Sequence, residues 1–302
     1  MMMRVATFAQ SDQMISNALR VQAVMANEQV QESSGLQSED FGGYGSGAGR
    51  VINLQVSVTR AQSYIDASQL ADNKVQVMYS AVGSVTDIIT QLRTQLSAAT
   101  TGSSTATASV INYAQQAMAQ MQGLLNTQYD GEYVFSGART DTAPADLSSF
   151  GTGTGSLTTS DTSYYKGDSE IASVRVSDSQ SISYGITAGN PAFEQVMRLL
   201  KFVGNSSNLS SSEVSQALDL ASNALDATST VQAKLSTAAS QIETASRNQS
   251  DYQNFAKTLS TDLTSVDVAA VTAQLSTYQA QLTASYSAIS KIQSMNLASY
   301  LR

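Results

Sequence analysis

The chain contains no histidine, no cysteine and no tryptophan, and only two prolines, Pro144 and Pro191, in 302 residues. Without histidine and cysteine it lacks the commonest general base, the commonest metal ligand and the thiolate nucleophile. Most catalytic constellations are therefore excluded, and so is a disulfide framework. Charge is scarce as well: 13% of residues are charged, against a usual share of about a quarter. The balance of 16 basic to 24 acidic residues, a net charge of -8, argues against nucleic acid, whose phosphates are neutralised by Lys and Arg. It argues equally against an anionic membrane surface. Between Met1 and Phe8 no continuous apolar core forms before Gln10, Ser11 and Asp12, so no secretory signal peptide is read, and export would use another route.

What is present is helical periodicity on a neutral, polar background of Ser, Thr, Gln and Ala. From Ser265 to Arg302 the ladder Val268, Val271, Leu275, Tyr278, Leu282, Ile289 and Ile292 climbs in steps of three and four, with one missed rung at Ser285. That is the seam of an amphipathic helix which has to bury itself against another helix. A helix of this length spans roughly 50 Å at about 1.5 Å per residue. Its outer side (Gln274, Ser276, Thr277, Gln279, Gln281) is too polar to cross a membrane. The obvious partner is the first helix, Val5 to about Ser33, with Met14, Ala18, Val21 and Met25 on one face and no Gly or Pro inside. These eleven residues form the candidate assembly seam.

Between the two ends the pattern nests. A Gly-rich acidic loop, Ser34 to Gly49, leads to a heptad track from Val51 to Leu96 (Val51, Leu54, Val58, Ala61, Ile65, Val75, Tyr79, Val82, Ile89, Leu96) with polar slips at Ser68 and Asp72. After a Gly/Ser/Thr break at Thr100 to Thr107, a helix from about Ala108 to Gln128 on Ile111, Ala114, Met118, Met121 and Leu125 completes an antiparallel αα-hairpin. Glu132 to Phe135, bounded by Gly131 and Gly137, reads as a short strand. From Thr140 to Asn190 the helical period vanishes, and Glu170 to Ile186 alternates like two strands around a turn at Asp178 to Gln180. Pro191 opens another helix, where proline suits the first turn. Ser210 and Glu213 then make a capping-box pattern ahead of a long heptad helix that includes Tyr252, Ala256 and Leu259 and ends at a joint, Thr261 to Ser265.

No nucleophile elbow, Walker sequence or distinctive carboxylate pair occurs, which leaves no enzymatic site. Gly43, Gly45 and Ala48 formally match a dinucleotide fingerprint, but no strand precedes them, so the motif lacks its mechanism. No metal or cofactor site is expected. The expected class is mainly α: an elongated rod of nested N- and C-terminal helices with a small inserted β domain. The expected domains are 1–40 with 265–302, 41–142 with 190–264, and 143–189.

This nested plan, with the residues that mark it, resembles the flagellin superfamily and, within it, the hook-associated protein 3 family of hook–filament junction proteins. Ser33-Ser34-Gly35-Leu36 looks like the segment that follows the first helix throughout the superfamily. Asp130 to Gly137, Tyr164-Tyr165-Lys166-Gly167-Asp168, Asn190-Pro191-Ala192-Phe193-Glu194 and the tail Lys291-Ile292 to Leu301 are similar to junction-protein motifs. The loop Gln37 to Gly49 departs from the family's usual stretch. The resemblance implies a structural protein of the bacterial flagellum, extracellular and exported without a cleaved signal peptide. Its implied partners are copies of itself in a ring, the other hook–filament junction protein, flagellin, the flagellar type III export apparatus and a cytosolic export chaperone. The alternatives are flagellin itself, as the filament subunit, and a generic secreted coiled-coil scaffold.

Overall fold

Proline is scarce and most glycines cluster in the loops, so long stretches have little to stop a helix, and they form helices. A computed structural model describes residues 2–100, 103–151 and 153–294. In chain order the elements are α1 (Met2–Ser34), α2 (Ala48–Ala99), α3 (Ser104–Leu125), β1 (Gln128–Tyr129), β2 (Glu132–Tyr133), β3 (Ser173–Arg175), β4 (Ser181–Ser183), α4 (Pro191–Asn205), α5 (Ser211–Thr264) and α6 (Val268–Ser294). The class is the expected one, mainly α with a small β region. The chain divides into two compact units, Met1–Thr59 with Gln253–Arg302, and Arg60–Tyr252, the boundaries falling within α2 and α5.

In the larger unit α3 runs antiparallel to α2, and the Tyr113 hydroxyl donates to the Ile88 carbonyl at 3.3 Å. The buried rungs of α2 are Val75, Met78, Val82, Val85, Ile89, Leu92 and Leu96. Tyr79, expected on this seam, is exposed, and Met78 takes its place: neighbouring residues both satisfy a three-or-four spacing, and the flexible thioether fills the gap. In α3 the buried residues include Val110, Ala114, Ala117, Met121 and Leu125, while Ile111 and Met118 sit half-buried at the edge. Ser68 is fully buried on α2 with an unbonded hydroxyl. A buried polar atom without a partner costs about 1–3 kcal/mol, so Ser68→Ala is expected to raise the thermal midpoint by a few degrees in calorimetry. A midpoint that fell would show that the hydroxyl has a partner.

A hairpin replaces the single strand expected at Glu132 to Phe135. β1 and β2 pair antiparallel, Gln128 with Tyr133 and Tyr129 with Glu132. Their two-residue turn, Asp130-Gly131, has positive φ at both positions (53° and 79°), the geometry that Asp-Gly favours. β3 and β4 pair as expected, Val174 opposite Ile182, and Val176 N–H bonds Gln180 C=O across the turn.

The three mid-chain motifs converge. Asp168 N–H donates to Ser136 C=O (3.1 Å), and Ala188 N–H to Phe135 C=O (2.8 Å). The Phe135 ring meets Phe193 edge-on, centroids 5.6 Å apart, and the buried Tyr164 hydroxyl donates to Ala188 C=O at 2.8 Å. Burial pushes that phenol far above its ordinary range, so it remains a neutral donor. Beside it, Lys201 Nζ bonds Asp161 Oδ2 at 2.7 Å and lies 4.2 Å over the Phe150 ring. Burial works against the Asp161 charge, but hydrogen bonds from Lys201 and Ser163 outweigh it and hold the carboxyl below its ordinary value. The apolar residues of this β region belong to one core with α2, α3, α4 and α5.

Local signals set the later helix starts. Pro191 occupies the first turn of α4, and Asn190 Oδ1 accepts Ala192 N–H at 3.0 Å. Ser210 and Glu213 form the capping box, Ser210 N–H to Glu213 Oε2 at 2.8 Å and Glu213 N–H to Ser210 Oγ at 3.3 Å. The Ser210 hydroxyl, which donates to Glu213 Oε2 at 2.7 Å, and the Ser210 N–H together hold the Glu213 carboxyl below its ordinary value.

Candidate assembly surface

In the smaller unit the two ends of the helical chain meet. α1 stops at Gly35, whose φ of +70° is the left-handed conformation that glycine adopts cheaply, and Gly35 N–H bonds Gln31 C=O at 2.8 Å. The chain then turns beside the joint between α5 and α6. Gln37 N–H donates to Thr264 C=O (2.8 Å), Val266 N–H to Gly35 C=O (3.0 Å), and Leu36 bridges Ser265. The rest of the Gly-rich loop is a 3-10 segment, Phe41–Gly47, tied back by a Tyr44 hydroxyl bond to Ser38 C=O at 2.5 Å. Asp267 caps α6, its Oδ1 accepting Ala269 N–H (3.0 Å) and Ala270 N–H (3.2 Å). With their adjacent ends fixed at this joint, α1 and α6 pack along each other antiparallel. Glu32 Oε1 accepts the Thr272 hydroxyl at 2.8 Å near the joint.

The predicted seam residues fall at and around this contact. Ala18, Val271, Leu275 and Leu282 are buried; Met14, Val21, Met25, Tyr278, Ile289 and Ile292 are half-buried. Val268, the first residue of α6, is 44% exposed because no preceding helical turn covers it. The tail motif Leu297 to Leu301 lies outside the described residues. Burying a Val or Leu side chain contributes about 1.5–3 kcal/mol, so three large buried rungs make a thin interface for two helices of this length.

Two features of this unit escaped the sequence reading. In α5, Leu259, expected on the seam, is exposed, whereas Gln253 is buried and its amide donates to Val58 C=O at 3.3 Å. A polar residue on a seam carries no hydrophobic signal, which is why the phase was misread there; Tyr252, at the edge of the larger unit, is exposed for the same reason. The second feature is a set of exposed apolar residues on α1: Ile15, Leu19, Val24 and Val30 are 38%, 60%, 37% and 44% exposed. An open groove of about 370 Å³ between α2 and α5 is lined by Arg50, Asn53, Leu54, Ser57, Leu259 and Leu263. Among the described residues no cluster of acidic side chains could hold a metal ion, and no helix is long and apolar enough to cross a membrane.

Paired first and last helices, an inner set of longer helices and a β region inserted between them define a mainly helical fold of nested ends. The sequence matches the bacterial flagellin N-terminal helical region over residues 5–140 and the bacterial flagellin C-terminal helical region over residues 218–301, together well over half of the chain. The chain belongs to the flagellin family. Among solved structures, its fold is similar to that of a flagellar hook-associated protein from Vibrio parahaemolyticus, with a TM-score of 0.61 and 17% identity, over 75% of this chain and 99% of that one. It is also similar to Bacillus cereus FlgL, with a TM-score of 0.54 and 16% identity, over 70% of this chain and 98% of that one. No curated protein sequence matches the chain.

Proposed function

We propose that this protein is a hook-associated structural protein of the bacterial flagellum, the adaptor that joins the hook to the flagellin filament. The observation that carries this reading is the likeness of its fold to two solved hook-associated-type proteins, each aligned over almost its entire length. The motifs that resemble the junction family, Asp130 to Gly137, Tyr164 to Asp168 and Asn190 to Glu194, pack on one another and so give that resemblance a structural basis. In this reading copies of the chain form a ring between the other junction protein and flagellin, and the α1–α6 pair with its eleven seam residues is the element through which they assemble. The protein reaches the outside through the flagellar type III export apparatus, escorted by a cytosolic export chaperone. Domains divide as 1–40 with 265–302, 41–142 with 190–264, and 143–189.

Labelling the protein in living cells tests the adaptor role directly. An adaptor gives a single fluorescent spot at the base of each filament. Label running along the whole filament would make the chain a filament subunit, and label absent from the flagellum would make it a scaffold of another kind.

A further inference from the structure

The β3–β4 hairpin has an edge that no other strand covers among the described residues. Tyr184 N–H donates to Ala172 C=O (2.9 Å) and Val176 N–H to Gln180 C=O (3.0 Å), and the register sets Val174 opposite Ile182 midway between them. Those pairs carry the ladder bonds, so at the alternate positions Ser181 and Ser183 the N–H and C=O groups of β4 point away from β3. No group of the described residues bonds them. The strand reads Ser-Ile-Ser, with neither the proline nor the charge that commonly guards an edge. Beside this edge an open groove of about 450 Å³ runs between β4 and α5, within the range of ligand sites of about 300–1,000 Å³. Buried Ile186, Leu235 and Ala238 give it an apolar lining. Lys234 is the one charged side chain on its wall; it is exposed and has no ion pair or hydrogen bond among the described residues.

We propose that this edge and groove bind an extended, acidic segment of a partner protein by strand addition. A strand laid along β4 satisfies the main-chain groups of Ser181 and Ser183, and its alternate side chains enter the groove while those between them face solvent. Main-chain bonds read no sequence, so specificity comes from the groove. Ala238 and Lys234 lie one helical turn apart on α5, about 6 Å at about 1.5 Å per residue, and alternate side chains of a strand are about 6.6 Å apart. A strand running along α5 therefore sets an apolar residue over Ala238 and Leu235 and the next inward residue beside the Lys234 ammonium. No acid of the groove's own lining neutralises that ammonium, so it selects a carboxylate. A second copy of β4 in the same place would bring a second lysine instead. All of these residues lie in the larger unit and none in the α1–α6 pair, so the inference stands apart from the flagellar reading above.

Fluorescence anisotropy of the full chain with the labelled synthetic peptide Ser-Val-Thr-Asp-Thr-Val-Ser tests this, because its inward set is Val, Asp and Val. Saturable binding is expected. Replacing the peptide's Asp by Lys should weaken it roughly tenfold, and Lys234→Glu should reverse that preference so that the lysine peptide binds the better of the two. Two further peptides, one N-methylated at its Val and Asp residues and the other at its Thr residues, read the main-chain bonds without altering the protein. Only one of these sets points its N–H groups at β4, so one peptide should lose binding and the other keep it. Ser183→Pro removes an N–H that β3 does not use, a substitution an edge strand tolerates; it should weaken binding roughly tenfold, as the loss of a buried donor does. No saturable binding, equal behaviour of the two methylated peptides, or a preference for aspartate that survives Lys234→Glu would overturn the proposal.

Discussion

Changing Leu275 and Leu282 together to aspartate is expected to separate α6 from α1 and to abolish incorporation of the protein into the flagellum. Both leucines lie on the buried face of α6, 4% and 7% exposed. The substitution removes two of the largest buried side chains of a thin seam, each contributing about 1.5–3 kcal/mol. It also places two carboxylates at buried positions of an apolar seam, at a further cost of several kcal/mol. A helix stabilised mainly by packing has little left to hold it. The damage should stay local, because the core shared by α2, α3, α4, α5 and the β region includes none of these residues. Amide exchange should therefore accelerate across 271–289 while the amides of α3 and α4 stay protected. Filaments that grow normally with the double variant would sink the seam assignment.

The ladder on α6 was legible because its inward rungs are large and aliphatic while the rest of the helix is Ala, Ser, Thr and Gln. The signal weakens where that contrast fades. In α1 the row Met14, Ala18, Val21 and Met25 is flanked by exposed Ile15, Leu19, Val24 and Val30, so apolar bulk alone does not say which side faces α6. At Tyr79 the ambiguity was one of phase, since Met78 and Tyr79 are both three or four residues from Val75 and Val82. At Gln253 a polar side chain earned its buried place by bonding a carbonyl on α2, which no hydrophobic pattern reveals. The β1–β2 hairpin was readable from Asp130-Gly131 but was obscured because each strand has only two residues. The joint between α5 and α6 was visible as a break in the heptad phase. Its fixing by Gly35, Leu36 and Gln37 was not, because those bonds are made by backbone groups and link residues more than 200 positions apart.

Cells lacking this chain are expected to keep their hooks, to lack filaments and to release unpolymerised flagellin into the medium. A filament subunit meets copies of itself at every contact, so its lattice extends without closing, whereas an adaptor must offer one surface toward the hook and a different one toward flagellin. In this chain the unit with the paired end helices and the larger unit with its β region are separate compact parts, so an adaptor of the kind proposed above could pack its copies through one and distinguish its neighbours through the other. The β region is tied together and could carry such a surface: Phe135 meets Phe193 edge-on, the Tyr164 hydroxyl bonds Ala188 C=O, and the Asp161–Lys201 pair joins the segment before Tyr164 to α4. On the adaptor role proposed above, removing the chain leaves the hook with no acceptor for flagellin, which is then exported and lost. Electron microscopy of the deletion strain and immunoblotting of its medium read this outcome, and restoring the intact gene should restore filaments. A deletion strain that still polymerises flagellin on its hooks would overturn the adaptor role while leaving the flagellin-family fold untouched.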